Sequence, residues 1–245
     1  MAELIRKDDK APQPKKSGAV KAGLMFLLLA AVFGLIAAIT DIFVFIGGSV
    51  ASVVISVLIF CVHLSDGLNG KAAKRYGIIG ERQAGVILQK YLPEEYTVIQ
   101  NAVITYGGRT SEIDNIVVGR TGVFVIEVKY VKGSITGNYE WKNWRQHKVD
   151  QYGIAHSKEF YSPVKQVGTH VFRLANYLRD NKVFTHVSGV VYFANSETHV
   201  TLGGSGNIPV YSFSTTQDML NYIKDGTADL SAKTVNKTIK LICNN

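Results

Sequence analysis

Two apolar, strand-like runs joined at Gly119-Arg-Thr-Gly122 constrain this chain more than any other feature, because charged residues interrupt both of them. The second run ends with Glu127-Val-Lys129. Side chains alternate between the two faces of a strand, so Glu127 and Lys129 share a face whose other members are apolar, and the opposite face is apolar too. The pattern predicts a strand buried on both sides, where an ionised side chain needs a partner or a ligand.

The turn at Arg120-Thr121 predicts which residues of the two strands face each other. In a regular antiparallel register it places Asp114 opposite Glu127 and Glu112 opposite Lys129. Opposed Cβ atoms lie about 4.5–5.5 Å apart, which lets two carboxylates hold one cation with a lysine beside them. A plain ion pair between Glu112 and Lys129 is the simpler alternative, and a bulge in the hairpin would change either register.

Carboxylates as close as Asp114 and Glu127 imply a cation. Their repulsion raises one pKa unless a divalent ion neutralises them, and such oxygen ligands suit Mg²⁺ or Mn²⁺. An ion of this kind polarises a phosphodiester and binds the attacking water, while a neighbouring lysine stabilises the developing negative charge. We therefore predict phosphodiester hydrolysis, with Asp114 and Glu127 as metal ligands and Lys129 as the catalytic cation.

The spacing of these residues resembles a known signature. Asp114 followed thirteen residues later by Glu127-Val-Lys129 is similar to the D...(D/E)-x-K signature of the PD-(D/E)xK nuclease superfamily. The flanking motifs over about residues 76 to 195 resemble the nuclease-related domain, or NERD domain, more specifically. These motifs are Gly80-Glu-Arg82, Glu112-Ile-Asp114, Gly122-Val-Phe-Val-Ile-Glu-Val-Lys129, Gly133 and Ser162-Pro-Val-Lys-Gln166. The resemblance implies a metal-dependent nuclease-like domain whose partner is DNA or RNA.

Two positions depart from the pattern of these families. Tyr130 stands where the NERD family often has Asn after the lysine, and Ile113 stands where the superfamily has Pro before the first acid. Neither change removes a predicted ligand.

A helix predicted from about Ile78 to Leu92 carries a further acid. Its apolar stripe is formed by Ala84, Leu88 and Tyr91, and Glu81 lies on that stripe. The resemblance implies that Glu81 assists the metal site. The alternative is an acid near the helix start that is favoured by the helix dipole.

A second helix is predicted to begin at Ser162-Pro163, a good N-cap followed by a residue suited to the first helical position. Its buried stripe consists of Val167, Val171, Leu174 and Leu178. Gln166 lies off this stripe. Its match to the family glutamine implies a hydrogen bond to a metal-bound water or to a phosphate, whereas an exposed amide in the first turn is the bland alternative. The six histidines show no metal-ligand spacing and are interpreted as structural or exposed.

Two uncharged apolar runs near the N-terminus predict a transmembrane hairpin. They cover about residues 22–39 and 42–64, with Asp41 at the turn between them, and about 20 apolar residues span a bilayer as a helix. Small residues in the second run favour close packing against the first, or a homo-oligomer formed through the hairpin. Residues 1–21 are predicted to be a disordered basic tail, residues 65–75 a linker and residues 76–245 the nuclease-like domain.

Basic residues flank the predicted hairpin on both sides, and none lies between the two runs. This distribution predicts a multi-pass protein of the cell membrane whose N-terminus and C-terminal domain are both cytoplasmic. Cys61 and Cys243 form neither a disulfide framework nor a zinc pattern. Of the net charge of +8, only +4 belongs to residues 76–245, so the pI is poor evidence for DNA binding.

A local candidate for nucleic-acid contact is the stretch Trp141-Lys-Asn-Trp-Arg-Gln-His-Lys148. Within it, Trp144 is predicted to stack on a base, and Arg145 and Lys148 to meet phosphates. The alternative is that Trp141 and Trp144 pack one edge of the fold.

The whole pattern predicts an α/β fold with a restriction-endonuclease-like core: a helix, a three-stranded antiparallel meander, a helix and a further strand. The predicted strands cover Tyr96–Thr105, Glu112–Val118, Val123–Val131 and Val187–Phe193, with a fifth at Ile208–Phe213 and a helix containing Met219, Leu220 and Ile223. Two other interpretations stay open. One is a catalytically silent module that binds nucleic acid or protein at the membrane, and the other is an assembly platform that oligomerises through the hairpin.

Overall fold

The computed structural model describes residues 1–7, 27–32, 52–60, 77–150 and 152–245. The chain divides into two compact units, one formed by Met1–Asp9 with Tyr76–Asn245 and the other by Lys10–Arg75. The first unit holds the predicted nuclease-like domain.

The first unit is a mixed α/β fold, as predicted. Its helices are α1 (77–91), α2 (Pro163–Asp180), α3 (Thr216–Lys224) and α4 (Ala232–Cys243). Its strands are β1 (Glu3–Arg6), β2 (Thr97–Tyr106), β3 (Arg109–Gly119), β4 (Gly122–Lys129), β5 (Gly133–Asn138), β6 (Asn143–Val149), β7 (Ala155–Tyr161), β8 (Val187–Phe193), β9 (Thr198–Gly203) and β10 (Val210–Ser212).

The main sheet has six strands in the order β1-β2-β3-β4-β8-β10. Strands β2, β3 and β4 form an antiparallel meander, and β8 returns after α2 to pair with β4 in parallel. The predicted order of helix, three antiparallel strands, helix and strand is confirmed. The fifth predicted strand shortens to β10, and the helix predicted around Met219 is α3.

The β3–β4 hairpin turns where the two glycines predicted it. Gly119 pairs with Gly122, whose φ of 143° suits a residue without a Cβ, and the register continues to Asn115 opposite Ile126. Alternate residues of β4 enter two separate apolar clusters, with Val123 and Val125 on one side. Phe124, Ile126 and Val128 lie on the other. The prediction of a strand buried on both faces is therefore confirmed.

Helix α1 lies on one of these faces and packs closely against the sheet. Ala84 and Leu88 are fully buried, but Tyr91 is 54% exposed, so its assignment to the buried stripe is wrong. Leu92, one position later, occupies the interior instead. The approach of the helix to β2 depends on Gly85, where an added Cβ would lie 2.0 Å from the Nε2 atom of Gln100.

A second sheet, in the order β7-β6-β5-β9, was not predicted. Trp144 of β6 is fully buried beneath it and stacks on Phe193 of β8, with ring centroids 6.3 Å apart. The indole Nε1 donates a hydrogen bond to the carbonyl oxygen of Asn138. Trp144 is thus a packing residue that joins the two sheets.

The N-terminus begins with a strand rather than with disorder. Glu3–Arg6 pairs in parallel with Thr97–Gln100, and the Ala2 side chain is buried. The amide of Ala2 also donates to the carbonyl oxygen of Gln89. The prediction of a disordered tail is wrong for these residues, because β2 offers them an open sheet edge. Residues 8–21 lie outside the described residues.

The predicted transmembrane hairpin and the linker at 65–75 fall largely outside the described residues. The described parts of the two predicted spans, 27–32 and 52–60, are helical. Among the residues that the structure describes, no helix combines the length and the apolarity that crossing a bilayer requires.

Candidate active site

The carboxyl end of β4 carries a buried ion pair. Glu127 is 2% exposed, and its Oε1 atom lies 2.6 Å from the Nζ atom of Lys129 on the same face of the strand. Glu112, the alternative partner of Lys129, has an exposed side chain. The Lys129 ammonium pairs with Glu127 of its own strand, so the simple cross-strand pair with Glu112 is not the arrangement found.

Asp114 reaches this pair from β3. Its Oδ2 atom accepts a hydrogen bond of 2.7 Å from the backbone N–H of Val128. The backbone pairing of β3 with β4 ends at Asn115 and Ile126. Beyond that point the Asp114 carboxylate, and not the β3 backbone, accepts the hydrogen bond from β4. The turn predicted Asp114 opposite Glu127, and the observed register points to that pair, but the ladder ends one residue before it.

The backbone opposite Asp114 is also unusual. The β2–β3 ladder pairs Gln100 with Asn115 and Ala102 with Ile113, and it omits Asn101 and Asp114 between them. Asn101 has a φ of 54°, in the left-handed region that residues with a Cβ seldom adopt. Such distortions are concentrated at functional sites, where the surrounding structure maintains them.

Three carboxylates act on one another at this position. Burial raises the pKa of Asp114 well above its ordinary value, and the nearby charges of Glu127 and Glu81 raise it further. The hydrogen bond from Val128 and the charge of Lys129 oppose this shift only in part. A carboxyl that is hard to ionise because acids surround it is a group that a cation would stabilise.

Glu81 is brought to the site by the packing of α1 on β2. Gln100, which is buried, donates from Nε2 to the carbonyl oxygen of Glu81 at 3.0 Å and to the Oδ1 atom of Asn115 at 3.2 Å. The Oε1 atom of Gln100 accepts from both the Nε and the Nη2 atoms of Arg6 in β1. One glutamine therefore ties the backbone of Glu81 to β3 and to the N-terminal strand.

Gln166 also belongs to the site. Helix α2 begins at Pro163 with Ser162 as its N-cap, as predicted, and its first turn faces the end of β4. The Oε1 atom of Gln166 accepts a hydrogen bond of 3.1 Å from the Lys129 ammonium. The first-turn glutamine is thus engaged with the lysine.

His170 was missed by the sequence analysis. It lies one helical turn after Gln166, is 7% exposed, and places Nε2 3.5 Å from the Oε2 atom of Glu127. The signal was its spacing: His170 follows Val167 by three residues and precedes Leu174 by four, which puts it on the buried stripe of α2. Val171, assigned to that stripe, is only partly buried.

The predicted nucleic-acid contacts lie on β6 and are of two kinds. Trp144 is fully buried and offers no ring face to a base, so its predicted stacking role is wrong. Arg145 is half exposed and forms an ion pair with Glu159 of β7 at 2.8 Å. Lys148 is exposed. Only the two basic residues remain as candidates for contact with phosphate.

The types of donor at this site suit a divalent cation, although their arrangement is not that of a metal centre. Within the described parts of the chain, no group of three or more His, Cys, Asp or Glu side chains is arranged to hold a metal ion. Yet the buried Oε2 atom of Glu127 has no hydrogen-bond partner. The acidic neighbours of Asp114 also raise its pKa, which disfavours the charged carboxylate. A cation would relieve both conditions.

Comparison with known proteins agrees with the motifs. Residues 76–194, just under half of the chain, match the family model described as nuclease-related domain, NERD. An uncharacterised protein of Bacillus anthracis is 34% identical over 112 residues, which make up 45% of this chain and 50% of that protein. The chain therefore spans about half the length of the curated relative it matches. No solved structure matches the chain. Residues 76–194 thus match the nuclease-related domain, the family whose motifs the sequence resembles.

Proposed function

We propose that this protein is a metal-dependent nuclease with a restriction-endonuclease-like core, anchored to the membrane on its cytoplasmic side. The observation that carries the proposal is the convergence of Asp114, Glu127, Lys129 and Gln166 at the end of β4. The acids lie on the two strands of one hairpin, and Gln166 comes from the helix that packs on it.

Each residue has a distinct role in this proposal. Asp114 and Glu127 would hold Mg²⁺ or Mn²⁺, and the bound ion would supply polarisation of the scissile phosphodiester and activation of water. Lys129 stabilises the negative charge that develops on the phosphate. Gln166 positions Lys129 through their hydrogen bond, and Glu81 adds negative charge beside Asp114.

The substrate in this proposal is DNA or RNA. Arg145 and Lys148 lie on β6 of the second sheet, and both side chains reach solvent. Cations of this kind bind phosphates independently of base sequence. The domain is only mildly basic, so we assign the recognition of substrate to these local cations and to the site itself.

Membrane anchoring is supported by the sequence and by one feature of the fold. The apolar runs at about 22–39 and 42–64 are each near the length of a span. Because β1 pairs with β2, the chain leaves the first unit after its N-terminal strand and returns to it at Tyr76. A segment with both ends in one unit crosses a bilayer an even number of times, which agrees with two spans and with both flanks on the same side of the membrane.

The proposal is tested with the full chain in detergent, because β1 belongs to the folded unit. Labelled single-stranded, double-stranded and branched DNA and RNA are incubated with Mg²⁺ or Mn²⁺. Cutting by the wild type that is lost in Glu127→Ala and Lys129→Ala establishes the enzyme. The matched control is Lys132→Ala, which removes an exposed ion pair with Glu197 of similar length, 2.7 Å.

The opposite result has a clear meaning. Equal cutting by wild type and by folded Glu127→Ala would assign the activity to a contaminant. Metal binding without any cutting would favour the silent binding module.

A further inference from the structure

We propose that His170 is a ligand of the cation site together with Glu127, and that this imidazole makes the site prefer Mn²⁺ to Mg²⁺. The inference deepens the proposed function and rests on its cation site. It adds a third protein ligand to the two acids and sets the class of metal that the site selects.

The first observation is that polar atoms are left unpaired at one place. Among the described residues, four buried side-chain nitrogen or oxygen atoms lack a hydrogen-bond partner. Three of them are Oε2 of Glu127 and both ring nitrogens of His170, and the fourth is Nδ2 of Asn115. Unpaired buried polar atoms are costly, and a cation between His170 and Glu127 would satisfy the two that face each other, Nε2 and Oε2.

The second observation is the separation of the two side chains. Nε2 of His170 lies 3.5 Å from Oε2 of Glu127, and the two atoms do not form a hydrogen bond. Metal–nitrogen and metal–oxygen bonds of about 2.0–2.2 Å, at angles of about 90–110°, place neighbouring ligands roughly 2.9–3.6 Å apart. The distance found lies within this range.

The third observation is that two residues of α2 lie next to the carboxylate of Glu127, one of them through Lys129. Gln166 and His170 are four residues apart, on one face of the helix. Gln166 binds Lys129, and Lys129 occupies Oε1 of Glu127. Oε2 is left facing His170. One turn of α2 thus fixes the carboxylate on one side through the lysine and supplies an imidazole on the other.

The metal preference follows from the chemistry of the donors. Magnesium takes oxygen ligands and keeps much of its water, whereas imidazole suits transition metals. A site with two carboxylates and one imidazole therefore favours Mn²⁺ over Mg²⁺ more than two carboxylates alone would.

The test uses the metal-free full chain in detergent. Mn²⁺ and Mg²⁺ binding are measured by calorimetry, and the bound Mn²⁺ is examined by pulsed electron paramagnetic resonance for coupling to an imidazole nitrogen. The variant is His170→Gln, and the matched control is His199→Gln on β9, whose side chain is exposed. Far-ultraviolet circular dichroism confirms that both variants fold.

We expect the wild type to show the nitrogen coupling and to bind Mn²⁺ more tightly than Mg²⁺. In His170→Gln the coupling disappears and the Mn²⁺ affinity falls by about tenfold or more, while Mg²⁺ affinity changes less. His199→Gln behaves as the wild type. Should His170→Gln fail to fold, the coupling in the wild type itself decides the question, since its absence from the bound ion overturns the inference.

The outcomes separate this inference from the proposed function. Mn²⁺ that binds without nitrogen coupling, and with equal affinity in His170→Gln, overturns the role of His170 and leaves the two-carboxylate site intact. A folded wild-type protein that binds neither ion overturns both.

Discussion

The Lys129 ammonium lies 2.6 Å from Glu127 Oε1, and the carboxylate is far less exposed than the lysine, at 2% against 23% of the side chain. Lys129 also lies near Asp114, whose pKa is raised by the charges of Glu127 and Glu81 and lowered by that of Lys129. The lysine therefore has a structural role, because its charge offsets the repulsion among the acids of the site.

We expect Lys129→Met to destabilise the metal-free protein by about 3–5 kcal/mol, since it leaves a buried carboxylate without its counter-charge. Combining it with Glu127→Gln should recover part of the loss. The free energy of unfolding is measured by urea denaturation, followed by tryptophan fluorescence. The control pair, Lys132→Met with Glu197→Gln, is exposed and should cost less than about 1 kcal/mol. A Lys129→Met loss as small as the control's would contradict this role.

Asp114→Asn should stabilise the metal-free protein at neutral pH and weaken metal binding. Burial and the neighbouring acids raise the pKa of Asp114, so the folded protein keeps this proton at pH values where the unfolded chain has lost it. The wild-type stability therefore falls as the pH rises from about 4 through the raised pKa. Urea denaturation across this pH range should show a decline that is reduced in Asp114→Asn. Parallel pH profiles for the two proteins would refute the prediction.

Trp144→Ala should act on folding rather than on the recognition of nucleic acid. Its ring is fully buried and stacks on Phe193, so truncation should cost about 3–5 kcal/mol. Trp141 is 50% exposed, and Trp141→Ala should cost much less. The midpoint of thermal unfolding distinguishes the two variants. Equal midpoints would mean that Trp144 does not join the sheets as described.

Two glycine-to-alanine changes in helices should have opposite signs. Gly168 of α2 has free space, since its added Cβ would lie 3.9 Å from the nearest atom, Cδ1 of Ile208. Gly168→Ala should therefore stabilise the protein by about 0.5–1 kcal/mol through helix propensity. Gly85→Ala has the same gain in helix propensity, but its Cβ would lie 2.0 Å from Nε2 of Gln100. This steric overlap should cost about 1–3 kcal/mol, so the net effect should be destabilising. The free energies of unfolding of both variants test this, and stabilisation by Gly85→Ala would contradict the close packing.

The hairpin and the two acids were predictable because their signals are local. Gly119 and Gly122 mark the turn, the alternation from Val123 to Lys129 marks the faces, and a short antiparallel turn fixes the register. This register brings Asp114 within electrostatic range of Glu127. Gln166 was identified by its motif, and the structure supplies the contact with Lys129 that periodicity left open.

The features that sequence reasoning missed depend on distant partners. Strand β1 has four residues and no alternation strong enough to distinguish it from a basic tail, and its partner lies at Thr97–Gln100. The second sheet contains polar, exposed strands. Its strands β5 and β9 pair although α2 and β8 lie between them in the sequence. His170 could be read from the helical spacing, but only if a histidine is allowed on an apolar stripe.

The pairing of β1 with β2 also sets an order of events during synthesis. Arg6 and its partner Gln100 are 94 residues apart in the chain, so the first strand to leave the ribosome has no edge to join until β2 has been made. The long apolar runs emerge in the interval. Completion of the sheet edge is a late, non-local step, because distant contacts form slowly. A fusion partner attached before Met1 would lie at this edge and interfere with the docking of β1 on β2.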